Sequence, residues 1–298
     1  MIALHQIDMY QMSEEFHEIF QAAVNHLQRS LGARQIHWLK ARAEPPYLEH
    51  LSFRIGSQLF FVRVTDESDQ IQGPSSIEGL LRVARGSNGH ACLMPMRRDR
   101  STGDWHPVSS GSGLVDLASG KPLTFNDGDF SDLVLMTPWE QHDMSVGVVR
   151  AQLEKNGYQI MSSCGDPDIK PSVWFIGDSG RPEWVIVKSH TFPDGPPEVS
   201  DDEVQEISGR TSEFADLGHF APVGLVNAND LELPLVRGAP MYVRYEGLEK
   251  VFGDTSQIMI TRRRVDEESS KPKSGCLGVA AVAALIPTVS LALGYFLI

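Results

Sequence analysis

Two stretches of this 298-residue chain, about 125 residues apart, repeat one order of predicted secondary-structure elements. Each stretch begins with an amphipathic helix, continues through a strand, a proline-containing turn and a hairpin, and then forms a second helix and a further strand. The last strand follows Gly-His in both stretches, as "GHACLMPM" and "GHFAPVGLVNA". Because these signals recur in the same order, the sequence predicts an internal duplication.

The two opening helices carry start and stop signals. In the first helix, apolar residues recur with helical spacing, and Gly32 suits the C-terminal cap. In the second helix, Thr137 and Glu140 have the spacing of a capping box, and Gly157 suits the end of the helix. Both stretches are therefore predicted to open with a helix of several turns.

The predicted fold class is α+β, with two tandem α-β-β-β-α-β units followed by a C-terminal transmembrane helix. The predicted boundaries follow changes in composition along the chain. They are a first α/β unit at 1–100, a Gly/Ser-rich connection with a short hairpin at 101–136, a second α/β unit at 137–254, a polar basic linker at 255–276 and a transmembrane tail anchor at 277–298.

The segment 277–298 begins at Leu277, ends at Ile298 and contains no charged residue. As an α-helix it would be about 33 Å long, enough to cross a hydrocarbon core of about 30 Å, and a membrane helix tolerates a kink at Pro287. Basic residues in the preceding linker favour the cytoplasmic side. The sequence therefore predicts a single-pass C-terminal membrane anchor with the soluble part in the cytoplasm, and Cys276 at its edge is a conceivable lipidation site.

Net charge and motifs narrow the functional classes. The formal net charge of −13 disfavours general nucleic-acid binding, because phosphate contacts need a cationic surface. The three cysteines are an odd number, lie far apart and lack metal-ligand spacing. No phosphate-binding loop, zinc motif or dinucleotide fingerprint is present. We therefore expect no cofactor, and a protein partner rather than nucleic acid.

The stretch "DPDIKPSVWFIGDSGRPEWVIVKSH" combines a Pro-Asp, a hairpin and an apolar strand that leads into a lysine. In its α-β-β-β-α-β context it resembles the PD-(D/E)XK, restriction-endonuclease-like superfamily, with a degenerate motif. The resemblance implies catalytic roles for Asp168 and Lys188, with Asp168 as a ligand of Mg²⁺ or Mn²⁺. Ile186 stands where the family has an acid. Glu183 lies five residues before Lys188, an odd separation that puts it on the opposite face of a regular strand.

Structural roles compete with these functional ones. Asp168 beside two prolines is typical of a turn, and Lys188 at a strand end is typically solvated. His90 and His219 occupy equivalent places in the two units, where we predict that each imidazole bonds a backbone carbonyl near the start of the last strand. Tryptophans on both sides of the second hairpin predict cross-strand packing rather than an exposed stacking platform.

The sequence therefore predicts a membrane-tethered, non-enzymatic binding or regulatory protein built from two degenerate nuclease-like units. One alternative is a membrane-anchored, divalent-metal-dependent nuclease that uses Asp168 and Lys188. A second alternative is a secretion-chaperone-like module that binds extended protein segments through an apolar groove.

Overall fold

The computed structural model describes residues 3–4, 12–41, 50–71, 73, 76–125, 132–215 and 217–253. Most of them form two units, which we call the first unit (12–125) and the second unit (132–253). The elements up to residue 125 are β1 (Ala3–Leu4), α1 (Glu14–Leu31), β2 (His37–Lys40), β3 (Leu51–Ile55), β4 (Gln58–Asp66), α2 (Ile77–Gly86), β5 (His90–Arg98), β6 (Trp105–Pro107) and β7 (Val115–Asp116). The later ones are α3 (Pro138–Lys155), β8 (Gln159–Ser163), β9 (Ile169–Lys170), β10 (Val173–Ile176), β11 (Pro182–Thr191), α4 (Asp201–Thr211), β12 (Leu217–Asn227), β13 (Met241–Tyr245) and β14 (Glu249–Phe252).

The two units contain mixed sheets with the same strand order. The first sheet runs β2-β3-β4-β5-β6, with β7 also paired to β5; the second runs β8-β10-β11-β12-β13, with β14 also paired to β12. Each sheet has one parallel pair, β4 with β5 and β11 with β12, and its other pairs are antiparallel. The parallel pairs are connected through α2 and α4, as a crossover between parallel strands requires. Outside these sheets, β1 pairs in parallel with β9.

Local capping chemistry explains where the opening helices begin and end. The capping box predicted for α3 is confirmed: Thr137 Oγ1 accepts from Glu140 N at 3.2 Å, and Glu140 Oε2 accepts from Thr137 N at 2.9 Å. Gly157 follows α3 with a left-handed φ of 88°. Gly32, in contrast, is right-handed with φ −56° and opens a 3₁₀ turn. Gly32 is nevertheless the C-cap residue of α1, as predicted, and the left-handed residue is Gln35, with φ 55°, which caps the 3₁₀ turn.

Each sheet is covered by a helix on both faces. In the second unit, side chains at odd positions of β11, such as Val185, face α3, whereas Trp184 and Ile186 face α4. Trp174 and Trp184 lie directly opposite each other on β10 and β11 and are 1% and 0% exposed, which confirms the predicted cross-strand packing. Alternating strand positions therefore decide which side chains reach α4.

The predicted fold class, which combined two α-β-β-β-α-β units with a transmembrane helix, is wrong. The described residues form an α+β structure with two mixed sheets and four α-helices, and none of these helices is long and apolar enough to cross a membrane. The longest, α1 and α3, have 18 residues each, and both contain several charged residues. The predicted transmembrane segment, with Leu277, Pro287 and Ile298, lies outside the described residues, as does Cys276.

Strands beyond the predicted order α-β-β-β-α-β extend the sheet of each unit. Two further antiparallel strands follow it in each, β6 and β7 in the first unit and β13 and β14 in the second. In the first unit both strands lie within 101–136, the stretch predicted as a connection with a short hairpin. They pair with the edge of β5 or β12 that the parallel partner leaves open, and so satisfy its backbone groups.

Candidate functional site

A buried arginine of the second unit joins the two units. The Arg237 side chain is 3% exposed and lies between Glu140 of α3 and two backbone carbonyls of the first unit. Its Nε and Nη2 donate to the two Glu140 carboxylate oxygens, both at 2.8 Å. Its Nη1 donates to Ser57 O and its Nη2 to Ser87 O, both at 2.7 Å. This fork of four bonds fixes the second unit against the β3–β4 turn and the end of α2.

Further contacts reinforce this junction. Lys40 Nζ lies 3.0 Å from Asp143 Oδ1, and Arg82 Nη1 lies 3.2 Å from Asp166 Oδ2. Gly86 at the end of α2 lies against the Trp139 ring, where a Cβ would overlap ring atoms. Charge pairs and close packing therefore hold the two units in one arrangement.

The lysine of the nuclease-like motif is engaged by α4. Lys188 Nζ lies 2.8 Å from Glu203 Oε2 and donates to Glu198 O at 3.0 Å. Lys170 Nζ lies 3.6 Å from the other Glu203 oxygen, and the Glu203 side chain is 13% exposed. Burial lowers the pKa of Lys170, the negative charge of Glu203 opposes that shift, and the positive charge of Lys188 adds to it. Lys188 is thus part of an ion network between β11 and α4 rather than a solvated strand end.

The acids of the motif do not converge on Lys188. Asp168 is exposed in the turn before β9, and its N–H donates to Asp166 Oδ1 at 2.9 Å. Asp166 is the buried carboxylate of this turn. Ile186 is 0% exposed under α4, and Glu183 points to the other face of β11. Within the described ranges, no group of three or more His, Cys, Asp or Glu side chains is placed to hold a metal ion.

The two repeat-equivalent histidines have equivalent partners. His90 Nε2 lies 3.1 Å from Gln58 Oε1, and His219 Nε2 lies 2.6 Å from Glu183 Oε2. In each unit the partner lies two residues before the residue directly opposite the histidine on the parallel strand. The bonds go to side chains, so the predicted backbone carbonyls are not the partners. One geometry therefore recurs with an amide in the first unit and a carboxyl group in the second.

The pair in the second unit is largely closed to solvent. The side chains of His219 and Glu183 are 11% and 5% exposed. Burial lowers the pKa of His219, while the hydrogen bond and charge of Glu183 oppose that shift. An imidazole oriented by a carboxylate is suited to proton transfer only where a substrate can reach it. The pair's closed position instead favours a structural bond between β11 and β12.

A second buried imidazole, His142 on α3, makes the fold sensitive to acid. Burial lowers its pKa to about 4, with a further contribution from Lys170 and opposing ones from Asp143 and Asp168. The unfolded side chain titrates near 6.5, so the unfolded state binds the proton first as the pH falls. The contribution of neutral His142 to the free energy of unfolding is therefore fully present above pH 6.5, and it is lost as the pH falls from 6.5 to 4.

We expect His142 alone to account for a loss of about 3 kcal/mol in unfolding free energy between pH 7 and pH 4. Urea unfolding at pH 7, 5.5 and 4 should show that His142→Gln removes this part of the pH dependence. His17→Gln, at an exposed position of α1, serves as the control and should leave the pH dependence unchanged. Equal pH dependence of wild type and His142→Gln would contradict the assignment.

A cavity of about 460 Å³ lies beside the Arg237 junction. It is lined by Arg34, Gln35, His37, Arg54, Gly56 and Gly238, with Ile55 as apolar lining. None of these residues is among the site residues predicted from the sequence. The Arg237-Gly238 pair in the loop before β13 is the one local signal for this cavity. It points to the cavity only when the fold is known, because the fold brings Gly238 against the first unit.

The comparisons with known proteins concern mainly the second unit. Residues 139–251 match a family described as a domain of unknown function (DUF8840), and this range runs from the first turn of α3 into β14. No curated protein and no solved structure matches the chain at a significant level. The family match covers less than half of the 298-residue chain and includes both Glu140 and Arg237.

Proposed function

We propose that the chain is a non-enzymatic binding or regulatory protein in which the nuclease-like position of the second unit serves the framework. The observation that carries the proposal is the ion network of Lys188 with Glu203 and the Glu198 carbonyl. A lysine that orients a nucleophile or a phosphate must present its ammonium group to the substrate. Here the ammonium group of Lys188 is bound by the Glu203 carboxylate of α4 and by the Glu198 carbonyl.

The neighbouring positions support the same proposal. Ile186 contributes an apolar side chain to the core under α4 at the place where the nuclease family has an acid. Asp168 is turned to solvent in a tight turn. The carboxylate beside Lys188 is that of Glu203 on α4, which does not belong to the motif. The predicted membrane tether lies outside the described residues and forms no part of this proposal.

A cleavage assay tests the proposal directly. The purified full chain, with Mg²⁺ or Mn²⁺, is incubated with single- and double-stranded DNA and RNA, alongside the Lys188→Ala variant. We expect no cleavage above that of the variant. Metal-dependent cleavage that Lys188→Ala abolishes would replace the proposal with the nuclease alternative. The secretion-chaperone-like alternative stays a prediction.

The framework role of Lys188 predicts a loss of stability. Lys188→Met keeps the aliphatic stem but removes the charge, and it leaves the largely buried Glu203 carboxylate with Lys170 alone. We expect the unfolding free energy, measured with urea at pH 7, to fall by about 1–3 kcal/mol. Lys121→Met, at an exposed position, should stay within about 0.5 kcal/mol of wild type. Similar values for the two variants would show that the network contributes nothing to the framework.

A further inference from the structure

The cavity beside the Arg237 junction combines lining from both units. Arg34, His37 and Arg54 come from the region around β2 and β3, and Gly238 closes the lining from the loop before β13. Its volume of about 460 Å³ falls within the range of pockets that bind small molecules. A ligand there would contact both units at once.

The charge of this cavity is opposite to that of the chain. The described lining contains two arginines and a histidine and no carboxylate, although the chain as a whole has a net charge of −13. Arg54 donates through Nη1 to Gly56 O and forms no ion pair with a carboxylate among the described residues. Its guanidinium has five N–H donors, so most remain for a further acceptor.

Like charges are held together around Arg54. Burial lowers the pKa of Arg54, and the nearby guanidinium of Arg237 lowers it further. Desolvation lowers the pKa of His37, and the charge on Arg54 adds to that shift. Unlike Arg54, Arg237 has its own carboxylate partner, Glu140. An anion beside Arg54 would offset this mutual repulsion.

The backbone of Gly238 leaves room for the Arg54 guanidinium. Gly238 has a left-handed φ of 79°, and a Cβ at this residue would come within 2.5 Å of Arg54 Nη1 and 2.9 Å of Arg54 Cζ. Two more lining residues are left-handed, Gly56 with φ 53° and the non-glycine Gln35 with φ 55°. At Gln35 the left-handed φ belongs to the cap of the 3₁₀ turn, where its N–H donates to Gly32 O. Gly238 is thus the lining residue at which the missing Cβ makes room for Arg54.

We propose that this cavity binds a small organic phosphate. The planar fork of an arginine matches phosphate oxygens in geometry, and a phosphate monoester carries close to two negative charges at neutral pH. A phosphate ester presents three acceptor oxygens to the guanidinium groups at the cavity, whereas each end of a dicarboxylate such as succinate presents two. The volume of about 460 Å³ leaves room for the organic group beside the phosphate. The proposal rests on the proposed binding function and names its ligand class.

Isothermal titration of the full chain with adenosine monophosphate, ribose 5-phosphate, inorganic phosphate, adenosine and succinate tests the assignment. We expect the two phosphate esters to bind, with adenosine and succinate at least about tenfold weaker. Arg54→Gln should weaken binding of the esters about tenfold or more, because it removes a charged hydrogen-bond fork. Arg54→Lys keeps the charge but loses the fork, so its affinity should lie between those of Arg54→Gln and wild type.

Control variants separate the site from general effects. Arg100→Gln, at an exposed position of the first unit away from the lining, should bind as wild type does. Gly238→Ala forces a side chain onto the Arg54 guanidinium and should weaken binding as Arg54→Gln does. A thermal melt of each variant shows that it is folded at the temperature of titration.

Several outcomes would overturn the proposal. They are no heat from either ester at millimolar concentration with folded protein, equal binding by wild type and Arg54→Gln, or succinate binding as tightly as the esters. Tighter binding of an oligonucleotide than of adenosine monophosphate, lost in Arg54→Gln, would assign the cavity to nucleic acid instead. Each of these can occur while the cleavage assay on Lys188 stays negative, so failure here is distinct from failure of the proposed non-enzymatic function.

Discussion

Replacing Arg237 with alanine should lower the free energy of unfolding by about 3–5 kcal/mol, because it breaks a buried ion pair and leaves its partners behind. The Glu140 carboxylate would lose both of its bonds to the guanidinium, and the carbonyls of Ser57 and Ser87 would lose their donors. These groups belong to different units, so the variant should weaken the junction as well as α3. Urea unfolding followed by circular dichroism and tryptophan fluorescence measures the loss.

Two comparisons make this prediction specific. Arg244→Ala removes an arginine whose side chain is 79% exposed, and it should change stability by no more than about 0.5 kcal/mol. A double-mutant cycle with Glu140→Ala should give a coupling energy above about 1 kcal/mol, because the two side chains share two bonds. If Arg237→Ala and Arg244→Ala behave alike, the buried fork is not what holds the junction.

Restoring the missing acid of the nuclease motif should damage the fold instead of creating an enzyme. Ile186 is 0% exposed and packs in one cluster with Trp184, Ile207 and Phe220. A carboxylate placed there has no cation within the cluster. It must therefore be buried as an unpaired charge or become protonated. We expect Ile186→Glu to lower the unfolding free energy by about 4 kcal/mol or more, and to show no metal-dependent cleavage.

The matched control keeps the site apolar. Ile186→Val removes one methylene group and should cost about 0.5–1.5 kcal/mol. The two variants together separate the effect of lost volume from that of buried charge. An Ile186→Glu protein with wild-type stability and Mg²⁺-dependent cleavage would show that the position still belongs to a nuclease framework.

Sequence signals predicted the features that depend on neighbouring residues. The capping box of Thr137 and Glu140 spans three positions, and the Trp174–Trp184 pair spans one hairpin. Over such distances the backbone geometry follows from turn and cap chemistry alone. The same reasoning placed the C-cap of α1 at Gly32, but it did not predict the 3₁₀ turn that follows and ends at the left-handed Gln35.

The site chemistry depends on contacts that no local pattern encodes. Arg237 meets Ser57 across 180 positions and Glu140 across 97. In "DPD" the Pro-Asp pattern selected the second aspartate, whereas the fold buries the first, Asp166, against Arg82 of the other unit. From its position at a strand end, Lys188 was expected to be solvated. In the fold, α4 places Glu203 beside it. These outcomes follow from how the two units and their helices pack, which one sequence does not specify.

The pairing of β1 with β9 constrains the order in which parts of this chain can fold during translation. Strand β1 consists of residues 3 and 4, but its partner β9 lies at 169–170, in the other unit. At 5–20 residues per second, a ribosome needs roughly ten to thirty seconds to synthesise the intervening chain. The elements of the first sheet emerge well before that, so β1 must wait on the nascent chain while they assemble. Strand β1, the first of the described strands, thus meets its partner only after the elements of the first sheet have been synthesised.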